Sequence, residues 1–112
     1  MAAQADFGVV YCRAGRRGEG TDMTIWKWTL EPTDVQHISM PIAAEALSVQ
    51  MQGTQMCLWA YVHPTEDLVV RRIRVVGTGH SFAQEERDAL QYVGTVQMLG
   101  GKLVWHVFIS KE

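Results

Sequence analysis

Apolar and polar residues alternate with a period of two along most of the chain from residue 24 onward. In the first such segment Trp26, Trp28 and Leu30 share one face, and this alternation is typical of a strand with one buried face. Turn residues such as Glu31-Pro32-Thr33-Asp34 separate the segments at intervals of roughly 8–12 residues. The pattern therefore predicts an all-β fold: a small antiparallel β-sandwich or barrel of about seven short strands with at most one short helical turn.

Three hairpins are predicted, because pairs of strands follow each other across short turns. The first joins Thr24–Leu30 to Val35–Met40, and the others span residues 46–63 and 92–109. In the second hairpin, Leu47, Val49 and Met51 are expected to face the core, since they alternate with polar residues.

Two segments, residues 56–63 and 102–109, are apolar on both faces. Such strands are central and covered on both sides, or one face meets a second copy of the chain. We expect a homo-oligomer. Trp59, Trp105 and Phe108 are expected to be the largest contributors to the buried apolar area.

Composition places the chain among globular proteins of one domain. It has 112 residues and a net charge of −2, which does not favour a nucleic-acid-binding or membrane-surface protein. Residues 23–112 are predicted to form a single β domain, and residues 1–22, rich in glycine and arginine, a flexible N-terminal arm or extension. No apolar run approaches the roughly 18 residues of a membrane span. The two cysteines make no disulfide framework, which favours a reducing, cytosolic location.

One stretch, Leu68–Phe82, delivers several polar groups to one point. A β-branched strand runs into the glycine-rich turn that begins at Gly77. Alternation places Ile73 and Val75 on the core face and Arg72 and Arg74 on the wetter face. Consecutive N–H groups in such a turn can form an anion-binding concavity, and Tyr92 could stack on a nucleotide base. The predicted ligand-binding residues are Arg71, Arg72, Arg74, Gly77, Thr78, Gly79, His80 and Tyr92.

No motif in the chain indicates catalysis. The four histidines lack paired-ligand spacing, and the CxxC, HExxH and G-x-S-x-G patterns are absent. We predict no catalytic residues, no metal and no cofactor. His106 is interpreted as a core histidine, and a hydrolase that uses His80 and His106 is the enzymatic alternative.

Several motifs together resemble one known family. They are Met40-Pro41, Leu58-Trp59-Ala60, Val76-Gly77-Thr78-Gly79-His80, Tyr92-Val93-Gly94-Thr95 and Leu103-Val104-Trp105-His106-Val107-Phe108. In this order they resemble a family of small uncharacterised phage and prophage proteins, a domain of unknown function. The resemblance runs from Thr24 to about Ser110. Family members begin near Met23, so residues 1–22 depart from the pattern.

The resemblance implies a phage accessory protein in the cytoplasm of a host bacterium. Small phage proteins without catalytic motifs often counter host antiviral defence, by binding a signalling nucleotide or an effector protein. With the glycine turn, this favours a non-catalytic binder that sequesters a small anionic, nucleotide-type signal. The alternatives are a protein-binding inhibitor of a host defence effector and a minor virion or assembly protein.

Overall fold

The structure, a computed structural model, describes residues 2–3, 5–6 and 22–111. The predicted flexible arm, residues 1–22, lies outside the described residues except at residues 2–3, 5–6 and 22. In chain order, the strands and helices are β1 (Ala2–Ala3), β2 (Ala5–Asp6), β3 (Thr24–Leu30), β4 (Val35–Pro41), β5 (Glu45–Gln52), β6 (Gln55–Val62), β7 (Leu68–Gly77), α1 (Gln84–Asp88), β8 (Leu90–Met98), a 3-10 turn (Leu99–Gly101) and β9 (Leu103–Ser110).

The strands form two sheets that pack face to face. Sheet A has the order β1-β4-β7-β9-β8, and sheet B has the order β2-β3-β6-β5. Every neighbouring pair is antiparallel except β1 and β4, which are parallel over two residues. The predicted all-β fold, with seven main strands and one short helix, is confirmed. None of the helices in the described parts of the chain is long and apolar enough to cross a membrane.

Two of the three predicted hairpins are confirmed, and the first is wrong. Strand β5 pairs with β6, and β8 pairs with β9. Strand β3, however, pairs with β6 in sheet B, whereas β4 pairs with β7 in sheet A. The corner between β3 and β4 is held by the Gln36 side-chain amide, which donates to Glu31 O at 2.6 Å and accepts from Glu31 N at 3.0 Å. The chain therefore changes sheets at a turn that resembles a hairpin turn in sequence.

The core lies between the sheets and is made by the inward residues of both. Trp28 is fully buried, and its indole N–H donates to Ser39 O of the opposite sheet at 3.0 Å. Trp59, Trp105 and Phe108, expected to be the main buried side chains, are only half-buried. The reason for Phe108 is alternation, because its neighbours Val107 and Ile109 occupy the inner face and are fully buried.

The sheets meet along their edge strands β5 and β8. Leu47, predicted to face the core, is 46% exposed because a β-bulge between Ala46 and Ser48 shifts the alternation. A second bulge interrupts β8 between Tyr92 and Gly94. A Cβ added at Gly94 would lie 2.9 Å from Val49 Cγ1, so this contact between the sheets requires glycine.

The connection from β7 to β8 covers part of the outer face of sheet A. Strands β7 and β8 both pair antiparallel with β9, on either side of it, so they run parallel and need a crossover connection. Residues 78–89, here called the strap, make this connection and contain α1. Phe82 of the strap packs on Phe108 of β9, with ring centroids 4.9 Å apart.

Candidate functional site

The glycine-rich turn after β7 is a closed β-turn. His80 N donates to Gly77 O at 3.0 Å, and Gly79 has φ +89°, as the third position of a type II turn requires. Thr78 N donates to Val104 O at 3.3 Å. Two of the N–H groups predicted to face an anion are therefore bound to carbonyls. The turn presents mainly side chains to a ligand.

A depression of about 160 Å³ lies between this turn and the loop that joins β8 to β9. Thr78, His80 and Lys102 line it, beside Trp105. The two loops meet because Gly77 pairs with Trp105 at the end of sheet A. The His80 ring lies against Gly77, where an added Cβ would be 2.9 Å from its Cε1 and Nδ1 atoms. This set of residues is called the turn site below.

Lys102 was not predicted as a site residue. It follows Gly100-Gly101, which the sequence marks only as a turn, and it forms no ion pair among the described residues. Its proximity to His80 depends on the pairing of β7 with β9, between residues far apart in the chain. A lysine next to a two-glycine hairpin turn is the only local signal that could have drawn attention to it.

A chain of hydrogen bonds runs from the turn site across the outer face of sheet A. Thr78 Oγ1 lies 2.7 Å from His106 Nε2, and Thr95 Oγ1 lies 3.0 Å from His106 Nδ1. Tyr92 Oη lies 2.6 Å from Thr95 Oγ1. The interpretation of His106 as a core histidine is wrong: its neighbour Val107 takes the core position, and alternation turns the imidazole outward.

Arg71, a predicted ligand-binding residue, points inward from β7 and is 5% exposed. Its guanidinium donates to Ala44 O at 3.1 Å and to Ser110 O at 2.6 and 3.2 Å. A buried cation of this kind is tolerated because carbonyls satisfy its donors. Arg71 therefore ties β7 to the chain before β5 and to the end of β9.

Arg72 and Arg74 lie on the wetter face, as predicted, but both form ion pairs with a carboxylate of the strap. Glu86 Oε2 accepts from Arg72 Nη2 at 2.9 Å and from Arg74 Nε at 2.7 Å. The side-chain hydrogen bonds from Arg72 and then Arg74 hold the pKa of Glu86 below its usual value of 4.5. The Arg74 guanidinium also lies 5.4 Å from the centre of the Phe82 ring. These two cations fasten the strap to the sheet.

Tyr92 joins the turn site only through the hydrogen-bond chain. Its side chain is exposed, and its ring packs on Phe108 with centroids 5.4 Å apart. The structure thus brings together Thr78, His80 and, through His106 and Thr95, Tyr92. It assigns Arg71, Arg72 and Arg74 to contacts within the fold.

The turn site contains groups of the kinds that bind anions in other proteins. It combines an ammonium group, an imidazole and a hydroxyl, and none of the described residues that line it is acidic. Among the same described residues, no three His, Cys, Asp or Glu side chains lie close enough to hold a metal ion.

Comparison with known proteins gives a family and no function. No curated protein and no solved structure matches the chain. The model of a domain of unknown function, DUF7352, matches residues 22–112, which include the whole sandwich from β3 to β9. The expectation of an uncharacterised family is confirmed, and the chain belongs to the DUF7352 family.

Proposed function

We propose that this domain is a non-catalytic binding protein for a small anionic ligand of the nucleotide type. An anionic group such as phosphate would sit in the turn site and accept hydrogen bonds from Lys102, His80 and the Thr78 hydroxyl. Lysine is a common phosphate-binding residue, and hydrogen bonds to an ionised acceptor are about twice as strong as neutral ones. The depression of about 160 Å³ has room for such a group.

One observation carries this proposal: the contrast in charge pairing among the cations of sheet A. Glu86 already binds Arg72 and Arg74, whereas Lys102 has no ion-pair partner among the described residues and faces a depression without a described carboxylate. An anion gains most where a cation is not already paired, because displacing an existing carboxylate offsets the new interaction.

The biological setting that we propose is that of a phage or prophage accessory protein. It would sequester a nucleotide-type signal of host antiviral defence in the bacterial cytoplasm. The support is the resemblance carried by the motifs from Met40 to Phe108. Two of these motifs provide the turn site and the strand that carries His106.

Binding tests this proposal directly. Native mass spectrometry and calorimetry of the purified chain with AMP are expected to show a complex that releases unaltered AMP on denaturation. Lys102→Ala should weaken binding by roughly tenfold, which corresponds to about 1.4 kcal/mol, and Lys102→Arg should retain most of it. Higher salt should weaken binding too. Equal affinity of wild type and Lys102→Ala, or hydrolysis of AMP, would contradict the proposal.

A second candidate function is binding of a protein partner, and one observation favours it. Ile42, Leu68 and Val70 are exposed on one end of sheet A, and Ile42 and Val70 border the same patch of surface. Exposed apolar groups that lie together mark contact surfaces more often than isolated ones do. The partner would be a second copy of the chain or a host defence effector.

Sedimentation and capture experiments separate these partners. If a second copy binds here, Val70→Asp should convert an oligomer of the purified chain to a monomer. The control is Leu99→Asp, since Leu99 is also exposed but lies in the loop between β8 and β9. If the wild type is monomeric and captures a host protein that Val70→Asp does not, the effector is the partner. Identical behaviour of both variants and wild type would exclude this surface.

A further inference from the structure

A second depression lies on the outer face of sheet A, beside the strap. Its volume is about 530 Å³, within the range of roughly 300–1,000 Å³ typical of small-molecule sites. Tyr92 and Phe108 contribute two aromatic rings, tilted by 59° to each other. An aromatic surface of this kind favours a flat ring by stacking, whatever the identity of the ring.

Two cations border this second depression. Lys111 Nζ donates to the backbone oxygen of Asp88 at 3.0 Å, and Arg87 Nη1 lies 3.5 Å from the Asp88 carboxylate. The Arg87–Asp88 pair is exposed on both sides, so it is weak and easily exchanged. Arg87 and Lys111 carry two positive charges and Asp88 one negative charge, so this depression favours an anionic ligand over a neutral one.

The two depressions are lined by the same strand and joined by polar side chains. Val104 borders the turn site and Phe108 the second depression. Four residues of a strand span about 13 Å. Between them lie His106 and Thr95, whose hydrogen bonds link Thr78 at one end to Tyr92 at the other. This separation is longer than the reach from base to phosphate within one nucleotide.

We infer that the two depressions are the halves of one elongated site, and that the ligand is a dinucleotide rather than a mononucleotide. One phosphate contacts Lys102 and His80, and the base of the other nucleotide stacks on Tyr92 near Lys111. The row of His106 and Thr95 then faces the backbone that joins the two nucleotides. This inference rests on the proposed function for its phosphate half, and it adds the length of the ligand and a second contact region.

Calorimetry with two probes tests the inference: AMP and the linear dinucleotide pApA. Wild type should bind pApA roughly five- to hundredfold more tightly than AMP, since stacking of one base on an aromatic side chain strengthens binding by about that factor. Tyr92→Ala should lower the affinity for pApA to about that for AMP, and Lys111→Glu should also lower it. Lys102→Ala should lower the affinity for both probes. Thermal melting confirms that each variant is folded. If Tyr92→Ala does not fold, Lys111→Glu provides the test of the second depression.

The outcomes separate this inference from the proposed function. If AMP and pApA bind equally, and Tyr92→Ala and Lys111→Glu leave both affinities unchanged, the second depression is not part of the site and only the inference fails. If pApA binds and Lys102→Ala leaves its affinity unchanged, the phosphate is not bound at the turn site. Both the inference and the proposed function are then overturned. If neither probe binds to the wild type, both are overturned.

Discussion

Two groups of cations along sheet A are in different situations. Arg72 and Arg74 share the carboxylate of Glu86, in helix α1 of the strap. Lys102 and His80, near the turn after β7, line a depression that has no described carboxylate. In the first group the ion pairs hold the strap on the sheet, whereas in the second group no described carboxylate neutralises the positive charge. A cation on a strand is therefore informative about function only when its partner is known.

The largest expected effect is on stability, and it concerns Arg71, which belongs to neither of these two groups of cations. Arg71→Met should lower the free energy of unfolding by about 1–3 kcal/mol, because the carbonyls of Ala44 and Ser110 lose a buried donor. Urea denaturation measures this change. AMP binding at the turn site should be unaffected in the folded variant. Loss of AMP binding with unchanged stability would instead support the prediction from the sequence that Arg71 binds the ligand.

A smaller effect is expected from Gly77→Ala at the turn site. The new Cβ would lie 2.9 Å from the His80 ring and 3.3 Å from Trp105 Cζ3, so the exposed His80 side chain has to move. Loss of one hydrogen bond should weaken AMP binding roughly two- to tenfold. The change in melting temperature should be small, because His80 is free to move into solvent.

The matched control for this variant is Gly94→Ala. Its Cβ would also lie 2.9 Å from a neighbour, but that neighbour is Val49 in the contact between the sheets. Overpacking there should cost about 1–3 kcal/mol of stability without changing AMP affinity. If Gly77→Ala behaves like Gly94→Ala, the His80 ring is a packing element and not a ligand contact.

The smallest expected effect concerns the strap and its dependence on pH. The arginines lower the pKa of Glu86 in the folded chain below its usual 4.5, so the carboxylate stabilises the folded state above that pH. This contribution is lost as the pH falls through the lowered pKa. The difference in melting temperature between wild type and Glu86→Gln should therefore be constant near neutral pH and shrink below about pH 4.5. A difference that grows in acid would contradict the assigned ion pairs.

Local patterns were enough to predict the faces of β7 and two of the hairpins. Ile73 and Val75 are buried and Arg72 and Arg74 are outside, because alternation is a property of the strand itself. The partners of β3 and β4 could not be predicted this way, since alternation does not say which strand lies alongside. The first hairpin failed for that reason.

The candidate site was predicted in part for the same reason. Thr78 and His80 belong to a turn that glycines mark in the sequence. Lys102 and His106 come to that turn through the pairing of Gly77 with Trp105 and Val76 with His106, which no local pattern contains. The ion pairs that join Glu86 of the strap to Arg72 and Arg74 also connect residues far apart in the chain. No local pattern therefore indicates that these two arginines are paired.

An NMR titration tests the central claim most directly, that the anion binds at the turn site rather than at Arg72 and Arg74. Amide ¹H–¹⁵N shifts of the whole chain are followed as AMP is added at constant pH and salt. We expect the largest shifts at Thr78, His80 and Lys102, with the amides of Arg72 and Glu86 nearly unchanged. Shifts centred on Arg72 and Glu86, or no shifts at all, would contradict this account.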